Sequence, residues 1–277
     1  MSRRTIAIAA ALSVLAFGSS LITTYANPFA NNSFNSGVDK YEQGNYQGAI
    51  ADYTKAIESN PQYVDAFINR GAAKGKLGDY QGAIADYDTA IEIDPASADI
   101  FYNRGTAKIN VEDYQGAIAD YTKAIEINPK FSRAFVNRGA AKDELKDYQG
   151  AIADYNKGIK LNPEDTNAYF NRGNSKRDLK NYQGAIADFT KAIEVNPQYA
   201  SAYMNRGNVK AKLKDYQGAI PDYTKAIEIN PQYASAYMNR GIAREMTNNL
   251  EGACVDWRKA ADFGLTEPAE WVKKQCS

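Results

Sequence analysis

The stretch YMNRG occurs at residues 203–207 and again at residues 237–241. Asn-Arg-Gly occurs four more times upstream, each copy 34 residues from the next. A second string, YQGAIADY at residue 46, keeps the same spacing and ends as LEGACVDW at residue 250. A fixed period of this length is the signature of a repeat architecture, so we predict one elongated array rather than two globular domains. The seven predicted units are residues 30–63, 64–97, 98–131, 132–165, 166–199, 200–233 and 234–267.

Each unit has the period of a helix. In the second unit, residues such as Phe67 and Gly71 follow one another at steps of three or four, and the same spacing resumes from Tyr80. A turn at residues 77–79 separates the two stretches, and Pro95 disfavours helical geometry in the residue before it. No stretch alternates with a period of two, so each unit is predicted to be a pair of helices and the fold to be all-α.

These units resemble the tetratricopeptide repeat, a helical hairpin of 34 residues with fixed small and aromatic positions. The resemblance covers residues 30–265 and implies a right-handed α-solenoid of antiparallel helix pairs with a concave groove. In the second unit the matching residues at positions 8, 20, 24, 27 and 32 are Gly71, Ala83, Tyr87, Ala90 and Pro95.

Two positions depart from the family pattern. Position 7, usually apolar, is Arg in every unit except the first, which has Ser36. Position 11, usually aromatic, is basic in every unit: Lys40, Lys74, Lys108, Lys142, Lys176, Lys210 and Arg244.

The position-7 Arg and the Asp of GAIAD lie at about the same height in an antiparallel hairpin that turns near position 15. We therefore predict ion pairs within each unit, and the basic residue at position 11 is expected to join them. The alternative partner of Arg70 is Asp52 of the preceding unit, and the functional alternative is an exposed cationic row that binds an acidic ligand. The predicted pairs are Arg70–Asp86, Arg104–Asp120, Arg138–Asp154, Arg172–Asp188, Arg206–Asp222 and Arg240–Asp256.

The resemblance implies that the position-8 glycines allow the two helices of a unit to cross closely, and that position 6 faces the groove. Asn occupies position 6 in all units: Asn35, Asn69, Asn103, Asn137, Asn171, Asn205 and Asn239. Position 5 is apolar in all units: Phe34, Ile68, Tyr102, Val136, Phe170, Met204 and Met238.

An Asn side chain carries an acceptor and two donors in one plane, so a row of them can hold the main chain of an extended peptide. The row resembles the asparagine ladder of O-linked N-acetylglucosamine transferases and differs from the carboxylate clamp of heat-shock co-chaperones. It implies binding of internal segments of a partner protein, with position 5 as a flanking apolar stripe. The alternative is that each Asn hydrogen-bonds locally or only solvates the groove wall.

Composition excludes several other functions. Lysine and arginine balance aspartate and glutamate at 33 each, without the basic excess of a nucleic-acid-binding protein. The chain has no histidine, the commonest general base and zinc ligand, and no glycine-rich phosphate loop. We therefore predict no enzymatic activity, no metal and no cofactor.

The N-terminus has the pattern of an export signal. Arg3 and Arg4 precede an apolar run, and small residues follow near Ala26. We predict a signal peptide at residues 1–26, a linker at residues 27–29, and a periplasmic or secreted protein. The alternative is an uncleaved membrane anchor formed by residues 6–22.

The C-terminus departs from the repeat. Gly264 is predicted to end the last repeat helix, and residues 266–277 to form a capping helix that starts at Thr266 and Pro268. Trp271 and Val272 would be its buried face. Cys254 and Cys276 are predicted to form a disulfide, with two free thiols as the alternative.

One further departure, Pro221, stands inside a predicted helix and is expected to kink that helix or shorten its start.

Together these features predict a non-enzymatic scaffold that binds an extended segment of a partner protein. The first alternative is an architectural array that assembles or spaces subunits through its edges or convex face. The second is an accessory subunit of an enzyme or a glycan-binding protein.

Overall fold

The computed structural model describes residues 28–276, so the predicted signal peptide and its alternative as an anchor at residues 6–22 lie outside the described part. The described residues form fifteen α-helices and no strand, which confirms the predicted all-α class. The helices are α1 Pro28–Glu42, α2 Tyr46–Ser59, α3 Val64–Lys76, α4 Tyr80–Ile93, α5 Ala98–Asn110, α6 Tyr114–Ile127, α7 Ser132–Glu144, α8 Tyr148–Leu161, α9 Thr166–Asp178, α10 Tyr182–Val195, α11 Ala200–Lys212, α12 Tyr216–Ile229, α13 Ala234–Glu245, α14 Leu250–Asp262 and α15 Thr266–Gln275.

The described helices belong to two compact units. The N-terminal unit holds α1 to α7 and ends at Asp147, and the C-terminal unit holds α8 to α15 and begins at Tyr148. In the N-terminal unit α1 packs on α2, α3 on α4 and α5 on α6. In the C-terminal unit α9 packs on α10, α11 on α12 and α13 on α14, and α15 packs against α14. Each unit thus contains three consecutive helix pairs, with α7 at the end of the N-terminal unit and α8 at the start of the C-terminal unit.

The second helix of each pair starts at a side-chain cap. Asp79 accepts a hydrogen bond from the backbone N–H of Gly82 at 2.9 Å, and Asp215 does the same for Gly218. Such caps satisfy one of the N–H groups that the first helical turn leaves without a partner. At the other end, Asp94 has extended backbone dihedrals before Pro95, as expected for a residue that precedes proline.

The turn inside each hairpin uses left-handed backbone even without glycine. Gly78 has a φ of 84°, and Lys180 and Lys214 at the same repeat position have φ values of 62° and 64°. The N–H of Lys180 bonds to the carbonyl of Arg177, and the next N–H bonds to that of Lys176. This pair of hydrogen bonds is a Schellman motif, and it ends α9 at the turn that leads into α10.

The crossing of the two helices depends on a residue without a side chain. A Cβ atom added to Gly105 would lie 3.0 Å from the Cε1 atom of Tyr121 and 3.3 Å from the carbonyl oxygen of Ala117. Tyr121 is fully buried. The glycine therefore lets α5 approach α6 closely, as the resemblance implied.

One expectation about helix starts is wrong, and of the two outcomes expected from Pro221 only the shortened start is excluded, so the kink stays a prediction. Residues 28–29 of the predicted linker belong to α1, which begins at Pro28, a residue that suits the first turn of a helix. Helix α12 keeps the start and length of its counterparts although Pro221 stands inside it, so its start is not shortened. Both Pro221 and Gln217, whose carbonyl loses its partner, are exposed, so the ring meets no neighbouring helix and water can satisfy the carbonyl.

The C-terminal helix α15 covers the end of α14. Gly264 has a φ of 94°, and Leu265 bonds back to the carbonyl of Ala260, which ends α14 as expected. Pro268 is the buried residue of α15, whereas Trp271 and Val272 are only half-buried, which corrects the prediction for them. The reason is that α15 packs mainly against α14, so one side of its apolar face stays open to solvent.

Candidate peptide-binding site

Most of the position-7 arginines join three consecutive helices of one compact unit. Arg70 on α3 donates from Nη2 to Asp86 Oδ1 on α4 at 2.6 Å and from Nη1 to Thr54 Oγ1 on α2 at 3.1 Å. Lys74, one turn further along α3, lies 2.8 Å from the other oxygen of Asp86. The carboxylate is buried, and two cations neutralise it.

The same arrangement recurs at four further predicted pairs. The second cations there are Lys108, Lys176, Lys210 and Arg244. The Arg side chains of all five described pairs are only 12–18% exposed, so they form structural ties rather than a cationic row for an acidic ligand. The remaining predicted pair, Arg138 with Asp154, joins residues of the two compact units and stays a prediction. The four recurrences are Arg104–Asp120, Arg172–Asp188, Arg206–Asp222 and Arg240–Asp256.

Asp52 of the first repeat is not the partner of Arg70, which corrects that alternative. Asp52 instead accepts hydrogen bonds from Ser36, Lys40 and Lys55. Lys55 thus supplies a second cation where the first repeat has Ser36 in place of Arg. Burial alone would raise the pKa of the Asp52 carboxyl, but the hydrogen bonds from Lys40, Ser36 and Lys55 outweigh it and lower the pKa to about 2.

We expect the replacement Lys40→Met to raise the pKa of Asp52 above about 2, because burial remains and its leading partner is lost. In the wild type, the stability that this carboxylate contributes is complete above its usual pKa of 3.8 and is lost as the pH falls through about 2. Carboxyl-carbon NMR titration of Asp52 measures the midpoint. The exposed Lys130→Met serves as control and should leave it unchanged. A wild-type midpoint near 3.8 would contradict the assignment.

The Asn row is less open than the resemblance implied. Asn35 is exposed, and Asn205 and Asn239 are half-buried. The four side chains between them along the chain are only 3–9% exposed, so an open ladder is not present at those positions. These four are Asn69, Asn103, Asn137 and Asn171.

The Asn side chains of this row are of two kinds: those that have a hydrogen-bond partner in the described protein and those that have none. Asn205 and Asn239 donate to Asn174 and Asn208 of the preceding repeat at 2.9 and 2.8 Å, and Asn137 donates to Tyr102 Oη at 3.0 Å. Local hydrogen bonding, the alternative interpretation, therefore describes these three. The Nδ2 atom of Asn171 is buried without a partner in the described chain.

Asn69 and Asn103 are of the second kind: within residues 28–276 their side chains make no hydrogen bond. The cause lies at repeat position 9 of the preceding repeat. Position 9 is Asn174 in the repeat before Asn205 and Asn208 in the repeat before Asn239, and both offer an acceptor. In the repeats before Asn69 and Asn103 the same position holds Val38 and Ala72, which have no side-chain acceptor. Unpaired amides thus occur at Asn69 and Asn103 in the N-terminal unit and at Asn171 in the C-terminal unit, where the Nδ2 atom is fully buried. Asn205 and Asn239 in the C-terminal unit are paired.

The position-5 residues belong mainly to the core rather than to a groove-facing stripe. Their rings stack on the last residue of the same repeat. Ring centroids lie 4.9 Å apart for Phe34–Tyr63 and Tyr102–Phe131 and 5.0 Å apart for Phe170–Tyr199. The predicted stripe is therefore corrected. Tyr102, Val136, Phe170 and Met204 are buried, and Phe34, Ile68 and Met238 are half-buried.

Sequence reasoning missed two cavities that lie between adjacent repeats. The first, about 250 Å³, opens among α3, α4 and α5, and Asn103 borders it. The second, about 210 Å³, opens among α11, α12 and α13 at matching repeat positions, and Asn239 borders it. Position 12, which borders both, is small in each case: Gly75 and Ala211. A comparison of residue size at that position could have indicated them.

Family models identify the class of protein. A tetratricopeptide repeat model matches residues 98–131, 166–199 and 200–233, and a TPR repeat model matches residues 37–78, 75–109 and 144–176. Together they match well over half of the chain, which belongs to the tetratricopeptide repeat family.

Solved structures with this fold are numerous. YrrB, described as a TPR protein with an unusual peptide-binding site, is 27% identical with a TM-score of 0.57; the match covers 66% of this chain and 95% of YrrB. One MamA structure is 25% identical, with a TM-score of 0.57, and covers 62% of this chain and 94% of its own. A tetratricopeptide repeat protein from Parabacteroides merdae shares the fold at 21% identity, with a TM-score of 0.67 and coverage of 90% and 100%. No curated protein matches the chain.

Proposed function

We propose that this protein is a non-enzymatic scaffold that binds an extended segment of a partner protein, and that the N-terminal unit provides the main contacts. The observation that carries the proposal is Asn103, a buried amide that borders an open cavity and lacks a hydrogen bond within the described chain. The residue is 9% exposed, and its amide atoms are not among the side-chain atoms that are fully buried without a partner, so a ligand in the cavity can reach them. The backbone of a bound peptide offers the donor and acceptor that this amide lacks.

The family supports the same function at a coarser level. Tetratricopeptide arrays generally serve as protein-interaction scaffolds rather than enzymes. YrrB, at 27% identity, has a peptide-binding site according to its description. Internal segments remain the proposed ligands because Asn69 and Asn103 are neutral amides, which suit main-chain groups better than a terminal carboxylate.

The proposed location is outside the cytoplasm. Two features support export: the charged, apolar and small-residue pattern of residues 1–26, and a disulfide between Cys254 and Cys276. Membrane attachment through residues 6–22 is the alternative. None of the helices within residues 28–276 has both the length and the apolar character needed to cross a membrane.

An architectural role is the second candidate function, and exposed leucines favour it. Leu77 and Leu145 in the N-terminal unit, and Leu179 and Leu213 in the C-terminal unit, stand at the same position of the turn inside each hairpin. Each unit therefore presents apolar side chains along the edge formed by these turns. A subunit that docks there would use the array as a spacer and leave the groove empty.

Replacement of Asn69 and Asn103 together by Ala tests the proposed function. A random dodecapeptide library displayed on phage is first selected on the wild-type protein, and the dissociation constant of a selected peptide is then measured by calorimetry. Each lost hydrogen bond is worth about 1 kcal/mol, so affinity should fall at least about tenfold. Folding should remain intact because neither side chain bonds to the rest of the described protein.

The matched control is Asn205→Ala with Asn239→Ala. These two amides bond to Asn174 and Asn208, so their removal should lower the thermal stability and leave peptide affinity within about twofold. Selection of no peptide, or unchanged affinity in the Asn69/Asn103 variant, would contradict groove binding and favour the architectural role.

A further inference from the structure

We propose that the cavity among α3, α4 and α5 is a pocket for one large apolar side chain of the bound segment. This inference rests on the proposed function, because the segment's backbone would lie along Asn103 at the mouth of the pocket. The cavity measures about 250 Å³. That volume lies below the usual range of pockets for whole small molecules, about 300–1,000 Å³, and suits a single side chain.

The lining selects an apolar occupant. Ala83, Ala107 and the rings of Tyr80 and Tyr87 contribute most of the walls, and no carboxylate borders the cavity. Lys76, which is exposed, is the one charged residue at its edge. A charged side chain would lose its hydration here without an opposite charge, whereas an apolar side chain gains from leaving water.

Of the three polar side chains that α5 contributes to the lining, two are already bonded within the described protein and one is not. Thr106 donates its hydroxyl to the carbonyl of Tyr102 at 2.9 Å, and Asn110 donates its amide to the carbonyl of Thr106 at 2.9 Å. Asn103, more than nine-tenths buried, retains its full hydrogen-bonding capacity. A peptide unit that bonds to Asn103 therefore positions its side chain over the apolar walls.

Residue size at repeat position 12 determines whether the pocket is open. In this pocket position 12 is Gly75, which lies within helix α3. In the first repeat the same position holds Tyr41, whose ring packs edge-on against Tyr46 at 5.2 Å. In the third repeat it holds Ile109, which packs against the core of that repeat. The array itself therefore shows that larger residues fit at this position.

Capped single amino acids test the pocket without any selected peptide. The N-acetyl methylamides of Phe, Leu, Ala and Asp are titrated into the ¹⁵N-labelled protein, and amide shifts are followed by NMR. The Phe or Leu compound should shift the amides of Ala83 and Ala107 in a saturable, millimolar titration, and the Ala and Asp compounds should not. Gly75→Ile should abolish these shifts because its side chain fills the cavity.

Ala211→Ile provides the matched control, since it fills the corresponding cavity of the C-terminal unit and should leave the shifts at Ala83 and Ala107 intact. Both variants are expected to fold, because Ile already occupies this repeat position at Ile109. Gly75→Ile gains helix propensity, and Ala211→Ile loses only about half a kcal/mol of it. No saturable shift with either apolar compound, or shifts that persist in Gly75→Ile, would overturn the pocket.

Peptide binding separates this inference from the proposed function. For a library-selected peptide, replacing its large apolar anchor by Ala should weaken binding to the wild type by about tenfold to a hundredfold. The same replacement should have little effect on binding to Gly75→Ile. If the Asn69/Asn103 variant loses the peptide but Gly75→Ile keeps full affinity, the groove function stands and the pocket is refuted.

Discussion

Replacing Asp222 by Ala is expected to lower the free energy of unfolding by about 3–5 kcal/mol, the usual cost of breaking a buried ion pair. Asp222 is 3% exposed and accepts hydrogen bonds from Nε and Nη2 of Arg206, while Lys210 lies 2.8 Å from its second oxygen. Without the carboxylate, two cations remain side by side in a half-buried site. Arg206 keeps only its hydrogen bond to Thr190, which is neutral.

Urea denaturation followed by circular dichroism measures the effect, and a peptide-binding assay is not needed. Asp88→Ala is the matched control, because Asp88 also pairs with an arginine, Arg104, at 2.6 Å but has a side chain that is 51% exposed. An exposed pair contributes about 0–1 kcal/mol. A cost for Asp222→Ala no greater than that of Asp88→Ala would show that these ties do not stabilise the array.

The ion pairs could be predicted because both partners belong to one hairpin. A turn of fixed length places position 7 opposite position 23, so the separation of 16 residues between Arg70 and Asp86 identifies the pair. The helix pairs themselves follow from the period of 34 residues and from the caps and prolines that recur with it. Within a hairpin, sequence separation determines spatial proximity.

The state of each Asn could not be predicted in the same way. The partner of Asn239 is Asn208 in the preceding repeat, and Asn103 lacks a partner because Ala72 stands where Asn208 stands. Such contacts depend on how one repeat packs on the next, which the period alone does not specify. The cavity beside Gly75 arises from the same packing, since it needs three helices from two repeats. The candidate site was therefore predicted in outline, with the wrong exposure for most of its residues.

Replacing Cys254 and Cys276 together by Ala is expected to release α15 and to lower the stability of this end of the chain by about 3 kcal/mol. The disulfide joins α14 to the end of α15 across 22 residues. Helix α15 has only 10 residues and packs mainly on α14, and a helix this short is not stable by itself in water. The cross-link reduces the freedom of the unfolded segment, so its loss should allow α15 to detach well before the repeats unfold.

Tryptophan fluorescence reports this event selectively, because the chain has two tryptophans and both lie at this end. The rings of Trp257 on α14 and Trp271 on α15 meet edge-on at 5.3 Å, and Trp257 is fully buried. In the variant, the emission should shift to the red at a lower temperature than the loss of helical circular dichroism, whereas in the wild type the two transitions should lie closer together.

Thiol titration of the non-reduced wild type should find no free thiol. Lys273→Ala, on the exposed face of α15, is the control and should leave both transitions in place. Coincident transitions in the cysteine variant, at the wild-type temperature, would mean that packing of Pro268 and Trp271 against α14 is enough to hold the helix, and that the disulfide adds nothing to this end of the array.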